Sequence, residues 1–463
     1  MKRKTLISLI ATLFIFSSVL SACGGNNGNN KQEPDKGSAN PAASSNASPA
    51  PKVEEVDPFS MTLRHTQVGE AKKFRLAILE DAVKKTEADV PGLKIEFDPV
   101  EDNANRFTKL PAEMTAGNPP EIFDLFGGVG DAQKYAAAGR LLDLTPILEK
   151  LGIKDSFIDL SSFTYDGKVY GLPIGSSQEG FFYNQELFDK YGLKEPKTWE
   201  ELENIMATLK QNKITPIAMA SKAAWIPLML ANTLWSRYAG PDVNFGFENG
   251  AHKWNEPEMV AALTKYDEWL EKGYFMKGEL GYEYAEMRNQ IITGKAGISF
   301  DGIWSSSTYA DPAQAGDMVG KIGYFPMPAV PGGKGDQTYI NANHSNGYGF
   351  SSDLNENEKK AVEAFIKNLY NEEFQKRGLK EDNLLPSMKV EGDMMSLVAD
   401  PMLKSAAAAI SNAGGTFPVF DALVPSEVNK QLEIGIQQLI ARKTTPQKLL
   451  DEVQAVQEKA NSK

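Results

Sequence analysis

The chain has 463 residues, with 49 Lys and Arg against 61 Asp and Glu, a formal net charge of −12 and 41% hydrophobic residues. That balance leaves no strong basic patch for a polyanion, so nucleic acid is not expected as a partner. A lone cysteine, Cys23, rules out a disulfide framework, and the length exceeds what one compact core usually holds, so two lobes are expected.

At the start, Lys2, Arg3 and Lys4 precede a mostly apolar run from Leu6 to Leu20, followed by Ser21, Ala22 and Cys23. This is the layout of an export signal, too short for a comfortable membrane span. Leu20-Ser21-Ala22-Cys23 resembles a bacterial lipobox. That resemblance implies cleavage of residues 1–22 and a diacylglycerol, with palmitate-type acyl chains, on the Cys23 sulfur. The alternative is an ordinary signal peptide followed by a chance cysteine. Two acyl chains suffice for stable anchoring. Residues 23–57 then read as the lipidated cysteine and a disordered tether. From Gly24 to Pro58 there is no aromatic residue, and Asn, Ser, Ala, Pro, Gly and Lys dominate, so the segment cannot bury enough to order itself. As a coil of roughly 35 residues it would reach about 30–35 Å root-mean-square. The expected location is the extracellular face of the cell membrane, and nothing later reads as a span.

Beyond the tether, helical and strand periodicities alternate. Met61-Thr62-Leu63 reads as a first strand. Phe74 to Lys85 reads as a helix with Ile78, Leu79, Ala82 and Val83 on one face, broken by Pro91-Gly92. Leu93, Ile95 and Phe97 alternate with charged residues as a half-buried strand. Ile122 to Phe126 is a short apolar strand ending at Gly127-Gly128. This β-α-β-α-β succession predicts an α/β lobe with a largely parallel sheet.

The middle repeats the theme. Thr198 with Glu201 fits a capping box, and Leu202, Ile205, Met206 and Leu209 follow at helical spacing. Ile214 to Met219 and Ala296 to Phe300 read as strands. Asn355 to Glu358 caps a helix carrying Val362, Phe365, Ile366 and Leu369. Thr445-Pro446 places an N-cap before a proline at the first helical position, with Leu449, Val453 and Val456 behind it. No tandem repeat is visible.

Motifs for bond chemistry are mostly absent. The three histidines, His65, His252 and His344, have no close-ligand spacing, so no zinc site is expected. There is no G-x-S-x-G elbow. Gly128-Val129-Gly130 follows a strand, but Gln133 stands at the third glycine of a dinucleotide fingerprint, so a tight turn is read there. Asp353 to Asn357 faintly echoes a calcium loop, but Glu358 replaces the required glycine, and helix capping is the better reading. With 61 carboxylates, a glycosidase-type acid/base pair stays open as an alternative, and no pair stands out. No cofactor is implied.

"LPAEMTAGNPPEIFDLFGG" (Leu110–Gly128), "YGLPIGSSQEGFFYNQELFDKYGLKEPKTWEEL" (Tyr170–Leu202), "GKAGISFDGIW" (Gly294–Trp304), "IGYFPMP" (Ile322–Pro328), "NGYGFSS" (Asn346–Ser352) and "TPQKLLDEVQ" (Thr445–Gln454) occur in this order. Together they resemble family 1 extracellular solute-binding proteins, the maltose-binding-protein class, in its lipoprotein form from Gram-positive sugar ABC importers. The Tyr170–Leu202 stretch is the specific one. Glu121 stands where the family usually has Asp, and Gln185 where it commonly has Lys. The resemblance runs from Pro58 to the end.

It implies a two-lobed, periplasmic-binding-protein-like α/β fold. Hinge crossovers join the lobes, and a ligand cleft lies between them. The first lobe would comprise residues 58–172 and 346–385, the second residues 173–345 and 386–463. The expected function is capture of a sugar or oligosaccharide by lobe closure, without bond chemistry, and delivery to an ABC transporter permease by a monomer. The alternatives are a lipid-anchored extracellular glycoside hydrolase, or the same fold binding a peptide or polyamine.

Sugars present apolar faces and hydroxyl rims, so their sites combine aromatic platforms with hydrogen-bonding groups. The resemblance points to Trp304 at the end of "GIW", Trp225 in "SKAAWIP" and Phe417 in "GGTFPVF", each with core packing as the alternative. Strand ends supply the polar candidates: Arg64 and His65 after the first strand, Asp124 in Ile122–Phe126, Gln178 and Glu179 beside the hinge, and Asn343 and His344 before the return crossing. Arg64 would suit an acidic sugar; Asp124 and Glu179 would suit a cationic ligand. Trp199, Trp269, Tyr183 and Asn184 read as structural.

Overall fold

The computed structural model describes residues 57–462; the expected leader, Cys23 and nearly all of the tether lie outside them. In chain order the strands are β1 (Phe59–His65), β2 (Leu93–Pro99), β3 (Ile122–Phe126), β4 (Thr164–Tyr165), β5 (Lys168–Val169), β6 (Gly171–Pro173), β7 (Ser177–Asn184), β8 (Thr215–Ala218), β9 (Ala296–Gly302), β10 (Ile322–Phe325), β11 (Ile340–Asn343), β12 (Asn346–Phe350) and β13 (Thr416–Phe417). They form two main sheets, one per lobe, plus the small β4–β5 hairpin.

The first sheet runs β2-β1-β3-β12-β6. Period-two alternation in β1 buries Met61 and Leu63 on one face, against Leu79 and Val83 of the helix Lys73–Asp89 and Val362, Phe365 and Ile366 of the helix Glu356–Leu369. The opposite face buries Phe123 and Leu125 of β3 with Leu110, Met114, Tyr135 and Phe163. Helices on both faces follow from these two apolar sides. The sheet is mixed rather than largely parallel. β1 is parallel to β2 and β3, whereas β12 is antiparallel to both β3 and β6, with Tyr348 opposite Asp124 and Leu172. The reason is topological: β12 re-enters this lobe from the other one and so runs against β3.

The second sheet runs β13-β11-β7-β9-β8, with β10 also pairing with β7. Its core is a single large cluster that includes Trp235, Trp254 and Trp269. The helix Trp199–Gln211 starts with the expected capping box, and Trp199 stacks on Trp269 at 5.4 Å between ring centroids. Tyr183 donates to Glu195 at 2.8 Å and Asn184 caps the next helix by accepting from Leu187 N at 3.0 Å. Asn355 forms a second capping box, and Thr445 caps the helix Pro446–Asn461.

Three chain segments pass between the lobes side by side: Ile174–Ser176, His344–Ser345, and the stretch around Leu385. Ile174 N donates to Asn346 O at 3.0 Å and Ser176 N to Leu385 O at 2.8 Å. In the first lobe the chain leaves β1 toward β2 on one side and arrives at β3 on the other. The carboxyl ends of β1 and β3 therefore flank the point where strand order reverses, the usual place for a ligand crevice.

Candidate functional site

The second lobe presents an aromatic wall. Trp225 opens the helix Trp225–Ala239, Tyr284 opens the helix Tyr284–Ile292, and Trp304 lies in the turn after β9. The Trp225 ring meets Tyr284 edge-on at 5.0 Å and lies 6.5 Å from Trp304. Both indoles are half-buried. Gly302 makes the arrangement possible: a Cβ there would lie 2.1 Å from the Trp304 ring, so only glycine lets the indole settle on the end of β9.

Polar groups behind the wall fix it. Trp304 Nε1 donates to Tyr284 Oη at 2.6 Å, and Tyr284 in turn donates to Asp301 Oδ1. Asp301 also accepts from Gly302 N at 2.7 Å. Arg288 stacks on the Tyr284 ring at 3.9 Å and lies 3.9 Å from Asp301. Burial pushes the Asp301 carboxyl up to about 6, although Arg288 and the Tyr284 hydrogen bond pull the other way. The loop leading to Trp225 is pinned at Ser221, whose Oγ donates to Glu279 Oε2 at 2.7 Å and whose N donates to Glu279 O at 2.9 Å.

The first lobe presents a polar wall at the ends of β1 and β3. Thr66 Oγ1 donates to Asp124 Oδ2 at 2.8 Å. Burial, reinforced by the charge of Asp102, pushes Asp124 up to about 7. His65 Nδ1 accepts from Gln67 N at 3.1 Å, which leaves the ring proton on Nε2. Burial lowers the pKa of His65, keeping the imidazole neutral. Gln67 Oε1 and Asn105 Oδ1 are buried with no hydrogen-bond partner, although such groups are normally paired.

At the crossovers Glu179 lies opposite Gly302 across β7 and β9, which puts its carboxyl on the side of the sheet where Trp304 covers Gly302. Its Oε2 is buried without a partner, as are Asn343 Nδ2 and His344 Nε2. Burial, with help from Asp421 and Asp301, holds Glu179 well above the usual carboxylate range; burial likewise lowers His344.

The structure thus groups Trp225 and Trp304 on one wall, His65 and Asp124 on the other, and Glu179, Asn343 and His344 at the crossings. Arg64, Gln178 and Phe417 stand apart. Arg64 donates to Asp98 Oδ2 from Nε at 2.8 Å and from a terminal nitrogen at 2.7 Å, and grips Glu113 with both terminal nitrogens, an ion cluster on the first lobe's own framework. Gln178 alternates to the other face of β7, donating to Tyr324 Oη at 2.8 Å and Ala406 O at 3.0 Å. Phe417 is fully buried in β13, level with Asn341 of β11. Sequence reasoning missed Thr66, Gln67, Tyr284, Arg288 and Asp301 as site members. Tyr284 follows an ordinary capping box at Glu283, and nothing local marks it. Thr66, Gln67 and Asp301 carried a signal, their place just past an expected strand end.

Chemically, the walls offer an apolar platform opposite neutral and acidic hydrogen-bonding groups. Among the described residues no group of three or more His, Cys, Asp or Glu could hold a metal ion, and no helix is long and apolar enough to cross a membrane.

The model of the bacterial extracellular solute-binding protein family matches residues 74–376. A solved chitin oligosaccharide binding protein is 46% identical, with a TM-score of 0.81 over 87% of this chain and 99% of that one. The maltodextrin-binding protein of Bacillus subtilis is 27% identical over 49% of this chain and 51% of its own length. The multiple sugar-binding protein of Streptococcus mutans is 24% identical over 57% of this chain and 62% of its own. Two lobes, each with its own sheet, and three crossings agree with these likenesses: the chain belongs to the bacterial extracellular solute-binding protein family.

Proposed function

We propose that the protein is an extracellular receptor that captures a short oligosaccharide of the chitin type between its lobes and hands it to an ABC permease. The reading rests on one observation above all. The second lobe offers two half-buried indoles, and the strand ends and crossings carry buried hydrogen-bonding atoms without partners, Gln67 Oε1, Asn105 Oδ1, Glu179 Oε2 and Asn343 Nδ2. Leaving such atoms unpaired costs about 1–3 kcal/mol each, and sugar hydroxyls and amides can both donate and accept. Likeness to a chitin oligosaccharide binding protein at 46% identity supports the sugar class. In this reading Trp304 and Trp225 stack on sugar faces, while Asp124, His65 and Glu179 read the polar rims. Residues 58–172 and 346–385 move as one lobe against 173–345 and 386–463. The ligand leaves chemically unchanged, and lipid on Cys23 keeps a monomeric receptor at the membrane's outer face.

The test is a tryptophan-fluorescence titration of the soluble part, from Lys52 onward, with chitin oligomers, xylan and maltodextrin oligomers, uronic acids, peptides and polyamines. The expected result is saturable binding of chitin oligomers, recovered intact by chromatography. Response to a peptide or polyamine alone would overturn the sugar class. Shortened sugar products would overturn the receptor reading in favour of a hydrolase. Metabolic labelling with palmitate, lost in Cys23→Ser, checks the anchor.

A further inference from the structure

A second contact between the lobes lies outside the sugar-facing walls. Arg106 of the first lobe donates from Nε and a terminal nitrogen to Asp131 Oδ2 of its own lobe, at 3.1 and 2.9 Å. Its other terminal nitrogen donates to Asp421 Oδ2 of the second lobe at 2.6 Å. The guanidinium also covers the Phe126 ring at 3.4 Å. Asp421 belongs firmly to the second lobe. Its neighbour Phe420 donates from its backbone N–H to Asn232 Oδ1 at 3.1 Å and packs against Trp235.

The backbones are fitted to one another around this ion pair. Val129 N donates to Ala422 O at 3.1 Å, and Ser426 Oγ donates to Gly130 O at 2.9 Å. Gly128 has φ +102°, and a Cβ there would lie 2.2 Å from Ala422 O. Any other residue would hold the two surfaces apart. The tight turn read from Gly128-Val129-Gly130 is therefore a docking surface for the opposite lobe.

We infer that Arg106 is a positioning residue for ligand capture, clamping the lobes together through Asp421 without touching the ligand. The inference rests on the receptor reading above. On the second lobe, Asp421 faces Glu179 and Glu433, both held above the usual carboxylate range by burial and then by Asp421 itself, with Lys430 the cation from the same lobe that offsets Glu433. Opening the lobes removes Arg106 and leaves Asp421 beside two further acids. Both groups gain water on opening, so what closing restores is the charge-assisted Arg106–Asp421 hydrogen bond and relief of like-charge repulsion at Asp421. Other contacts across the lobes are weaker in kind, such as Ser307 Oγ donating to Ala71 O at 3.3 Å. Lys73 bonds Asp311 at 2.8 Å across the lobes, yet Lys73 is a third exposed and also pairs with Glu70, and such pairs contribute little.

The test uses Arg106→Gln, Asp421→Asn, Asp131→Asn and the two pairwise doubles, each measured for chitin-oligomer affinity, for compaction by X-ray scattering and for unliganded melting temperature. We expect Arg106→Gln and Asp421→Asn each to weaken binding about tenfold or more. The 106–421 coupling should show in affinity and compaction, and the 106–131 coupling in unliganded melting. Gly128→Ala, with all charges kept, should also reduce compaction. Wild-type affinity and compaction in both Arg106→Gln and Asp421→Asn would overturn the clamp. If the wild type binds no chitin oligomer, the sugar reading fails, and unliganded scattering decides the clamp: Asp421→Asn should be more open than wild type, and identical curves would refute it.

Discussion

The two walls of the cleft are built on opposite plans. On the second lobe, the aromatic groups are braced from behind: Trp304 on Tyr284, Tyr284 on Asp301, Arg288 over Tyr284. On the first lobe, hydrogen bonds such as Thr66–Asp124, Gln67–His65 and Asn105 Nδ2 to Asp124 O organise the surface, while Gln67 Oε1 and Asn105 Oδ1 are left unpartnered. A braced apolar platform is ready before the ligand comes. A polar surface with open valences is completed by it. Under the proposed function, the difference would give affinity mainly to the second lobe and recognition of the rim mainly to the first.

Substitutions can break that division. The largest effect belongs to a residue outside it: Arg64→Met removes the buried cation of the Asp98–Glu113 cluster, leaving Lys109 on Asp98, and should cost about 2 kcal/mol of stability, read by denaturant unfolding. Sugar affinity at low temperature should stay unchanged, and a loss of affinity there would return Arg64 to the site. Next, Trp304→Ala should weaken sugar binding by about fivefold, since an aromatic contact is worth about 1 kcal/mol, with the fold intact by circular dichroism. Unchanged affinity would make Trp304 a packing residue. Smaller again, Asp124→Asn should change affinity only a few-fold, as one neutral hydrogen bond is worth about 1 kcal/mol or less, but should alter the ranking among sugars differing at one hydroxyl. A uniform loss across all sugars would blur the proposed division.

A further expectation, in stability rather than affinity, is a pH dependence behind the platform. Burial first, against the Ser221 hydrogen bond, raises Glu279 from 4.5 to about 7. The folded protein therefore binds this proton more tightly than the unfolded chain. Its contribution to stability falls as pH rises from about 4.5 to about 7 and is level above that. Glu279→Gln should remove the slope, by at most about 1.4 kcal/mol per pH unit. Melting curves between pH 5 and 8 that run parallel for wild type and variant would contradict it.

Local signals in the sequence were readable where the structure is local. The strand Ile122–Phe126 has the expected bounds, and Thr198 and Asn355 cap their helices through side chains three residues apart. The direction of β12 was not readable, because its partners β3 and β6 lie about 220 and 175 residues earlier in the chain, far beyond the reach of any periodicity. The site divides in the same way. Trp225 and Trp304 sit at helix and strand ends that pattern marks, and Glu179 lies near the start of β7, whereas Asp124 is in the middle of β3. Tyr284 and Arg106 act through partners 17 to 315 residues away. Arg64 misled because an end-of-strand position says nothing of the carboxylates that fold in behind it.

The place of β12 also bears on how the chain is made. It lies between β3 and β6, so without it the first sheet has two unpaired edges. During synthesis those edges wait until Phe350 has emerged, by which time most of the second lobe's strands are already available. Neither lobe can therefore finish on a continuous early piece of chain. Long-range pairings of this sort form late and slowly. A nascent chain that stays incomplete for so long is still threadable, the condition an exported polypeptide must meet before it can pass a narrow membrane channel.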